Sequence, residues 1–141
     1  MDLTRDTIDI SSQCSCLVYT KQVPFVLYRR PNSPRAAILD DLLAMVANGQ
    51  QAAVNTAITM LSDLFERGHQ SHYAQKLQGL PIWELKSHAR GGAKGGTRVY
   101  FYFRKSGDIV IVNAEVKADS TPSAALLKEA TLTALQDQQR S

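Results

Sequence analysis

The chain has 141 residues, of which 44% are apolar and 21% are charged, and its formal net charge is +3. This length corresponds to one domain, and the composition excludes a disordered tail or a fibrous chain. The sequence has no apolar run of about 18 residues or more, so no membrane-spanning segment is expected. Its polar first residues lack the pattern of a secretion signal, and we therefore expect a soluble cytoplasmic domain.

Two cysteines and three histidines raise the question of a metal or redox site. Cys14 and Cys16 are too close in sequence for a relaxed disulfide and too few to bind zinc alone. His69, His72 and His88 add no recognised ligand spacing. We interpret the cysteines as reduced thiols of a cytosolic protein, with a redox pair as the alternative. Neither a metal nor a cofactor is expected.

The chain divides into an extension and a domain. Residues 1–22 show little periodicity and are interpreted as an N-terminal extension, in which residues 15–19 can form a short strand. The domain is taken as residues 23–141. Its first element, the run PFVLYRR at residues 24–30, is apolar and aromatic, and it predicts a strand that ends at Pro31.

Two adjacent helices are predicted next. Ser33 followed by Pro34 predicts a helix start, with proline at the first helical position. Apolar residues then recur at helical spacing, and Asn48-Gly49 separates this helix from a second one that ends near Gly68. The apolar positions are Ile38, Leu42, Met45 and Val46, then Val54, Ile58, Leu61, Leu64 and Phe65. Such a pair forms a helical hairpin.

The second half of the chain changes to a strand pattern. Residues 82–88, 97–105 and 109–116 predict three strands, and the second of these (TRVYFYFRK) is the richest in aromatic and β-branched residues. The connections are the glycine-rich loop GGAKGG at residues 91–96 and the turn at 106–108. Because both connections are short, the three strands are expected to be antiparallel.

A final helix completes the predicted fold. Thr121 and Pro122 predict its start, and its apolar positions are Ala125, Leu126, Ala130, Leu132 and Leu135. The fold class is therefore α+β, with an N-terminal strand and a helical hairpin packed on an antiparallel sheet and a C-terminal helix.

Side-chain alternation along the three strands predicts one open polar surface. Val99, Phe101 and Phe103 share the face that is expected to contact the helices. If Val110, Val112, Ala114 and Val116 also face the helices, polar side chains of all three strands lie together on the opposite face. These are Lys86, His88, Arg98, Tyr100, Tyr102, Arg104, Asn113, Glu115 and Lys117.

Positive charge is concentrated in the same region. Residues 85–105 hold six basic side chains and no acidic one, whereas the rest of the chain has ten basic and thirteen acidic residues. The six are Lys86, Arg90, Lys94, Arg98, Arg104 and Lys105. A local positive field in an otherwise near-neutral domain indicates an anion site, with nucleic acid as the first candidate. A basic but merely solvated hairpin is the alternative.

These residue types suit the binding and the metal-free cleavage of RNA. Attack by a 2′-OH on its own phosphate needs a proton acceptor, a proton donor for the 5′-oxygen and cations around the phosphate. Arg98, Lys117 and Lys86 are candidate cations, and His88 and Glu115 are candidate proton-transfer groups. The candidate RNA-binding residues are Arg90, Lys94, Tyr100, Tyr102 and Arg104, since cations neutralise phosphate and tyrosine rings stack on bases.

Each candidate also has a structural alternative. The tyrosines can pack against neighbouring strands, Lys117 can be a solvated lysine at a strand end, and Glu115 can be a salt-bridge partner of Arg98.

The order and spacing of several short motifs resemble the RelE/HigB superfamily of bacterial toxins, in its phage-derived HigB-like branch. The motifs are KLQGLPIWELKSH, the glycine-rich loop, TRVYFYF and VKADSTPSAALLKEA, and the resemblance covers roughly residues 24–134. It implies the toxin of a type II toxin–antitoxin pair. Such a toxin cleaves mRNA without a metal, commonly on the translating ribosome, and is neutralised by a helix-turn-helix antitoxin.

The resemblance also implies roles for three residues. Arg98 matches the strand arginine that contacts the scissile phosphate. Lys117 matches a basic residue at the end of the last strand, and Lys86 matches a basic residue on the first strand of the hairpin set. Three departures are present. Glu84 stands where some relatives have a second lysine, although glutamate is usual in the HigB-like branch. Val116 stands where a second basic residue is common, and the tail ALQDQQRS lacks a C-terminal tyrosine. The alternatives are an inert RNA- or antitoxin-binding module of this fold and a ParE-like gyrase inhibitor, which lacks the basic set.

Overall fold

The structure is a computed structural model and describes residues 2–8, 23–119 and 121–140. The predicted strand at 15–19 and both cysteines lie outside these ranges. The strands are β1 (Asp2–Ile8), β2 (Val23–Arg29), β3 (Ala74–Lys76), β4 (Trp83–Lys86), β5 (Thr97–Phe103) and β6 (Ile109–Val116). The helices are α1 (Ala37–Ala47), α2 (Gln51–Arg67) and α3 (Ala124–Arg140). Within the described ranges, no helix has the length and apolar character needed to cross a bilayer.

The strands form one six-stranded sheet in the order β1-β2-β6-β5-β4-β3. The predicted α+β class is confirmed, but the prediction of a purely antiparallel sheet is wrong, because β2 and β6 are parallel. Both helices of the hairpin and three further strands lie between β2 and β6 in the chain. A connection of that length permits parallel pairing, whereas the short connections in the second half do not.

Two strands were not predicted. β1 pairs antiparallel with β2 along its length, from Asp2 opposite Arg29 to Ile8 opposite Val23. Part of the predicted N-terminal extension is therefore an edge strand of the sheet. The short strand β3 pairs with β4 at the other edge and has no alternating pattern that reveals it.

The helical hairpin is confirmed, although α1 begins later than predicted. Ser33 does not cap α1: its hydroxyl accepts the Arg35 N–H at 3.3 Å and donates to the Asp40 carboxylate. The hydroxyl thus stabilises a turn, and the helix begins at Ala37. Both predicted ends are confirmed, since Asn48 caps α1 and Gly68 follows α2 with a φ of 56°.

The two faces of the sheet are covered differently. Helices α1 and α2 cover one face with large aliphatic side chains such as Leu42, Ile58 and Leu61. Helix α3 covers the other face and contacts it through Ala130 and Ala134. The face that was predicted to be open is therefore covered by α3.

The buried face of α3 also differs from the prediction. Leu132 and Leu135 are 46% and 43% exposed, while Thr133 and Asp137 are buried. Small residues face the sheet because large tyrosine side chains of β5 already fill the space beneath the helix.

Polar contacts hold α3 at both ends. Arg30, at the end of β2, donates to Glu129 of α3 at 2.8 Å and to Asp41 of α1 at 2.9 Å. Further along the helix, Arg104 donates to Asp137 at 2.8 and 3.0 Å. The arginine pairs therefore fix α3 over the polar side of β5 and β6.

Candidate functional site

A β-bulge in β6 decides which side chains lie beneath α3. Tyr100 pairs with Asn113, but Phe101 pairs with Ile111, so Val112 is an extra residue. The prediction that four residues of β6 share the hairpin face is wrong because the bulge reverses the alternation. Val110 and Val112 pack on the α3 side, while Ala114 and Val116 pack on the α1–α2 side.

Tyr100 and Tyr102 lie beneath α3 and are 0% and 1% exposed. Their hydroxyls donate to Glu115 at 2.8 Å and to Asp137 at 2.7 Å, respectively. The predicted exposure of both rings is wrong because α3 covers them, so neither can stack on a base in this arrangement. Burial, and then the carboxylate that accepts each hydroxyl proton, raises the pKa of both tyrosines well above the ordinary value.

Because Tyr100 and Tyr102 are buried, we expect the folded chain to lose stability at alkaline pH. Their pKa is higher in the folded than in the unfolded chain, so their stabilising contribution is complete below about pH 10 and falls as the pH rises further. We expect Tyr100 and Tyr102 to ionise only when the chain unfolds. Tyrosinate absorbance and circular dichroism, recorded together against pH, measure this. Ionisation of all five tyrosines in a chain with native circular dichroism would contradict it.

Arg104 is not part of the polar surface that was predicted around Arg98. It directly follows β5, six residues after Arg98, which places it roughly 20 Å away at about 3.3 Å per residue. There it pairs with Asp137 and borders a cleft of about 700 Å³ that Phe103 and Lys105 also line. Arg104 therefore lies apart from Arg98, and its contact with RNA stays a prediction.

Arg98 forms a buried ion pair with Glu84, whereas the sequence analysis offered Glu115 as its partner. Its Nη1 donates to Glu84 at 3.1 Å, and both side chains are 3% exposed. Its Nη2 donates to the carbonyl of Asp119 at 2.8 Å. Glu115 instead accepts the Tyr100 hydroxyl and, at 3.0 Å, the N–H of Ser123. Arg98 and Glu115 thus both hold the segment that leads into α3. The exposure predicted for Arg98 is wrong.

Glu84 is the site residue to which sequence reasoning assigned no role. It is two residues before Lys86 on β4, so both side chains lie on the face that also carries Arg98. The sequence shows this shared face, and Glu84 stands where some relatives have a lysine, but neither observation predicts its ion pair with Arg98.

Four cations converge where β4, β5 and β6 meet the glycine-rich loop. The Lys117 ammonium is buried and donates to the carbonyl of Ser87 at 2.6 Å. Burial lowers the pKa of Lys117, and the charges of Lys86, Arg98 and Arg90 lower it further. We call these residues the basic cluster: Lys86, Arg90, Arg98 and Lys117.

The basic cluster contains the three residues to which the resemblance assigns roles. Lys86 lies directly opposite Arg98 in the sheet and is half-buried, whereas Arg90 is exposed. The structure thus brings Lys86, Arg98 and Lys117 together, as predicted. His88 and Lys94 are exposed on the segments that follow β4.

The glycine-rich loop fixes the backbone of Lys117. Gly91 donates to the Lys117 carbonyl at 2.7 Å, and the Lys117 N–H donates to Gly96 at 3.0 Å. A Cβ on Gly96 would lie 2.6 Å from both Gly91 N and Lys117 O. Only glycine permits this close backbone packing, which positions the ammonium of Lys117 inside the cluster.

Comparison with known proteins gives no assignment, since no protein-family model matches the chain and no curated protein matches its sequence significantly. In the part of the chain that the structure describes, no group of three or more His, Cys, Asp or Glu side chains is arranged to hold a metal.

Proposed function

We propose that the chain is the toxin of a type II toxin–antitoxin pair and cleaves mRNA, as the resemblance to the RelE/HigB superfamily implies. The observation that supports this best is the burial of Lys117 among Lys86, Arg90 and Arg98. Gathering like charges in a partly desolvated site costs free energy in the isolated protein. A bound phosphate offsets that cost, so the cluster favours an anion such as the RNA backbone.

The proposed reaction is attack by a 2′-OH on the adjacent phosphorus. The 2′-OH loses its proton to a base, the bond from phosphorus to the 5′-oxygen breaks, and that oxygen takes up a proton. Lys117 and Lys86 stabilise the negative charge that develops on the phosphate oxygens. His88 is the proposed proton-transfer group because its imidazole is exposed on the segment that directly follows β4 and Lys86. A helix-turn-helix antitoxin and the translating ribosome are the proposed partners, in the cytoplasm.

Primer extension on cellular mRNA after brief induction tests the proposal. We expect new cuts within translated frames for the wild-type chain, and a loss of about 10²–10³-fold for Lys117→Met, which keeps the side-chain length but removes the charge. Lys105→Met is the matched control, because Lys105 is an exposed lysine in the turn that follows β5, away from the basic cluster. Cuts that persist in Lys117→Met, or disappear equally in both variants, would contradict the proposed role of Lys117.

The buried ion pair of Arg98 favours a second candidate, an RNA-binding module that does not cleave. Its guanidinium already has two protein partners, Glu84 and the Asp119 carbonyl. Such a module binds a single-stranded RNA oligonucleotide but produces no cuts. Lys117→Met would then weaken binding and reduce the salt dependence of log K by about one unit. Fluorescence anisotropy over a salt series distinguishes the two candidates when it is combined with primer extension.

A further inference from the structure

We infer that Ser87 is a positioning residue of the basic cluster: its carbonyl holds the Lys117 ammonium beside His88, and its hydroxyl fixes that carbonyl. The role in anion binding follows from the geometry of the cluster, whereas the consequence for RNA cleavage rests on the proposed function. Ser87 directly follows β4 and is 4% exposed, although serine is usually a surface residue.

Every polar atom of Ser87 forms a hydrogen bond within the protein. Its N–H donates to the Thr97 carbonyl at 3.1 Å, and its hydroxyl accepts the Thr97 N–H at 2.9 Å. The hydroxyl also donates to the Ala89 carbonyl at 3.2 Å. These bonds fix the end of β4 against the start of β5 and tie down the bend that carries His88. The carbonyl of Ser87 is thereby held in one orientation.

This carbonyl orients the Lys117 ammonium without neutralising it. It accepts a hydrogen bond from the Lys117 Nζ at 2.6 Å. An ammonium has three donors, and this bond occupies one of them, so the others can be directed at the oxygens of an anion. A carboxylate in place of the carbonyl would form an ion pair with Lys117 and compete with the anion. A neutral acceptor therefore suits a lysine that binds phosphate.

The same carbonyl places the ammonium beside the proposed proton-transfer group. It belongs to the peptide unit between Ser87 and His88, and standard peptide dimensions put its oxygen about 3 Å from the His88 Cα. The Lys117 Nζ therefore lies within about 6 Å of the His88 Cα. This short distance allows a phosphate bound to Lys117 to lie next to His88, as the proposed reaction requires.

Titration of the folded protein with inorganic phosphate tests the role of the Ser87 hydroxyl. Ser87→Ala removes the hydroxyl, and we expect the dissociation constant for phosphate to rise by about tenfold, the usual effect of losing one hydrogen bond to a charged group. Ser87→Thr keeps the hydroxyl and is expected to bind as the wild-type chain does. The matched control is Ser71→Ala, because Ser71 is also a buried serine, and its hydroxyl donates to Asp63. It is expected to leave the phosphate affinity unchanged.

A measurement on the wild-type chain keeps the test decisive if Ser87→Ala does not fold. NMR detects the scalar coupling between the Lys117 Nζ and the carbonyl carbon of Ser87 across their hydrogen bond. We expect this coupling in the free protein and also at saturating phosphate, because the anion binds the other donors of the ammonium. The inference is overturned by an absent coupling or by one that phosphate abolishes. It is also overturned by an unchanged phosphate affinity in folded Ser87→Ala, or by equal losses in Ser87→Ala and Ser71→Ala.

Primer extension separates this inference from the proposed function. If the wild-type chain shows the coupling and binds phosphate but produces no cuts, the role of Ser87 is supported and the proposed cleavage is contradicted. If the cuts depend on Lys117 but persist undiminished in Ser87→Ala, the proposed function is supported and the role of Ser87 is overturned.

Discussion

Replacement of Arg98 by alanine is expected to destabilise the folded chain by about 3–5 kcal/mol, because it leaves a buried carboxylate without its partner. Glu84 is 3% exposed and would keep its charge or take up a proton in a site with little access to water. The carbonyl of Asp119 also loses its donor, which loosens the segment that leads into α3. Urea denaturation of the purified variant measures the change in the free energy of unfolding.

Two controls make this result specific. Arg67→Ala removes an arginine that is 52% exposed and paired with Asp63, and it should cost less than about 1 kcal/mol. The double variant Glu84→Leu/Arg98→Met should recover most of the stability, since apolar residues of similar volume often replace a buried ion pair without loss. An Arg98→Ala variant as stable as Arg67→Ala would contradict the prediction. If Arg98→Ala is destabilised as expected, a loss of toxicity in this variant does not by itself identify a catalytic arginine.

Gly96→Ala is expected to have the second largest effect. The added methyl group would lie 2.6 Å from two backbone atoms, Gly91 N and Lys117 O, and neither atom can move without opening the loop. We expect a loss of about 1–3 kcal/mol, the usual cost of overpacking, together with displacement of the Lys117 backbone. Denaturation measures the first effect. Faster amide hydrogen exchange at Lys117, whose N–H donates to Gly96, reports the second.

Gly92→Ala is the matched control in the same loop. The three atoms nearest to its added methyl group all belong to the side chain of Gln50, at 2.7–2.8 Å, and this flexible side chain can rotate away. The expected change in unfolding free energy is small, with unchanged exchange at Lys117. Equal effects of the two substitutions would show that the loop does not position Lys117.

Local patterns predicted most elements of the fold. The helical hairpin could be predicted because its apolar residues recur at helical spacing and Gly49 and Gly68 mark its ends. β5 and β6 could be predicted from their composition. The parallel pairing of β2 with β6 could not, because it depends on which distant strand lies beside β2, and no local pattern contains that information.

For the candidate site, too, the sequence predicted one part of the arrangement and not the other. Alternation correctly placed Lys86 and Arg98 on one face of the sheet. It gave no information about what covers that face, so the burial of Tyr100 and Tyr102 by α3 was missed. The small residues Ala130 and Ala134 on α3 were the available signal, since they allow a helix to lie close to large aromatic side chains.

The chemical ends of the RNA fragments test the proposed cleavage most directly. Attack by the 2′-OH leaves a 2′,3′-cyclic phosphate on one fragment and a 5′-hydroxyl on the other. Mass spectrometry of the fragments produced on induction of the wild-type chain, with Lys117→Met as the control, is predicted to show these ends in the wild-type sample only. Fragments that carry 3′-hydroxyl and 5′-phosphate ends, or an absence of fragments that depend on Lys117, would contradict cleavage at the basic cluster.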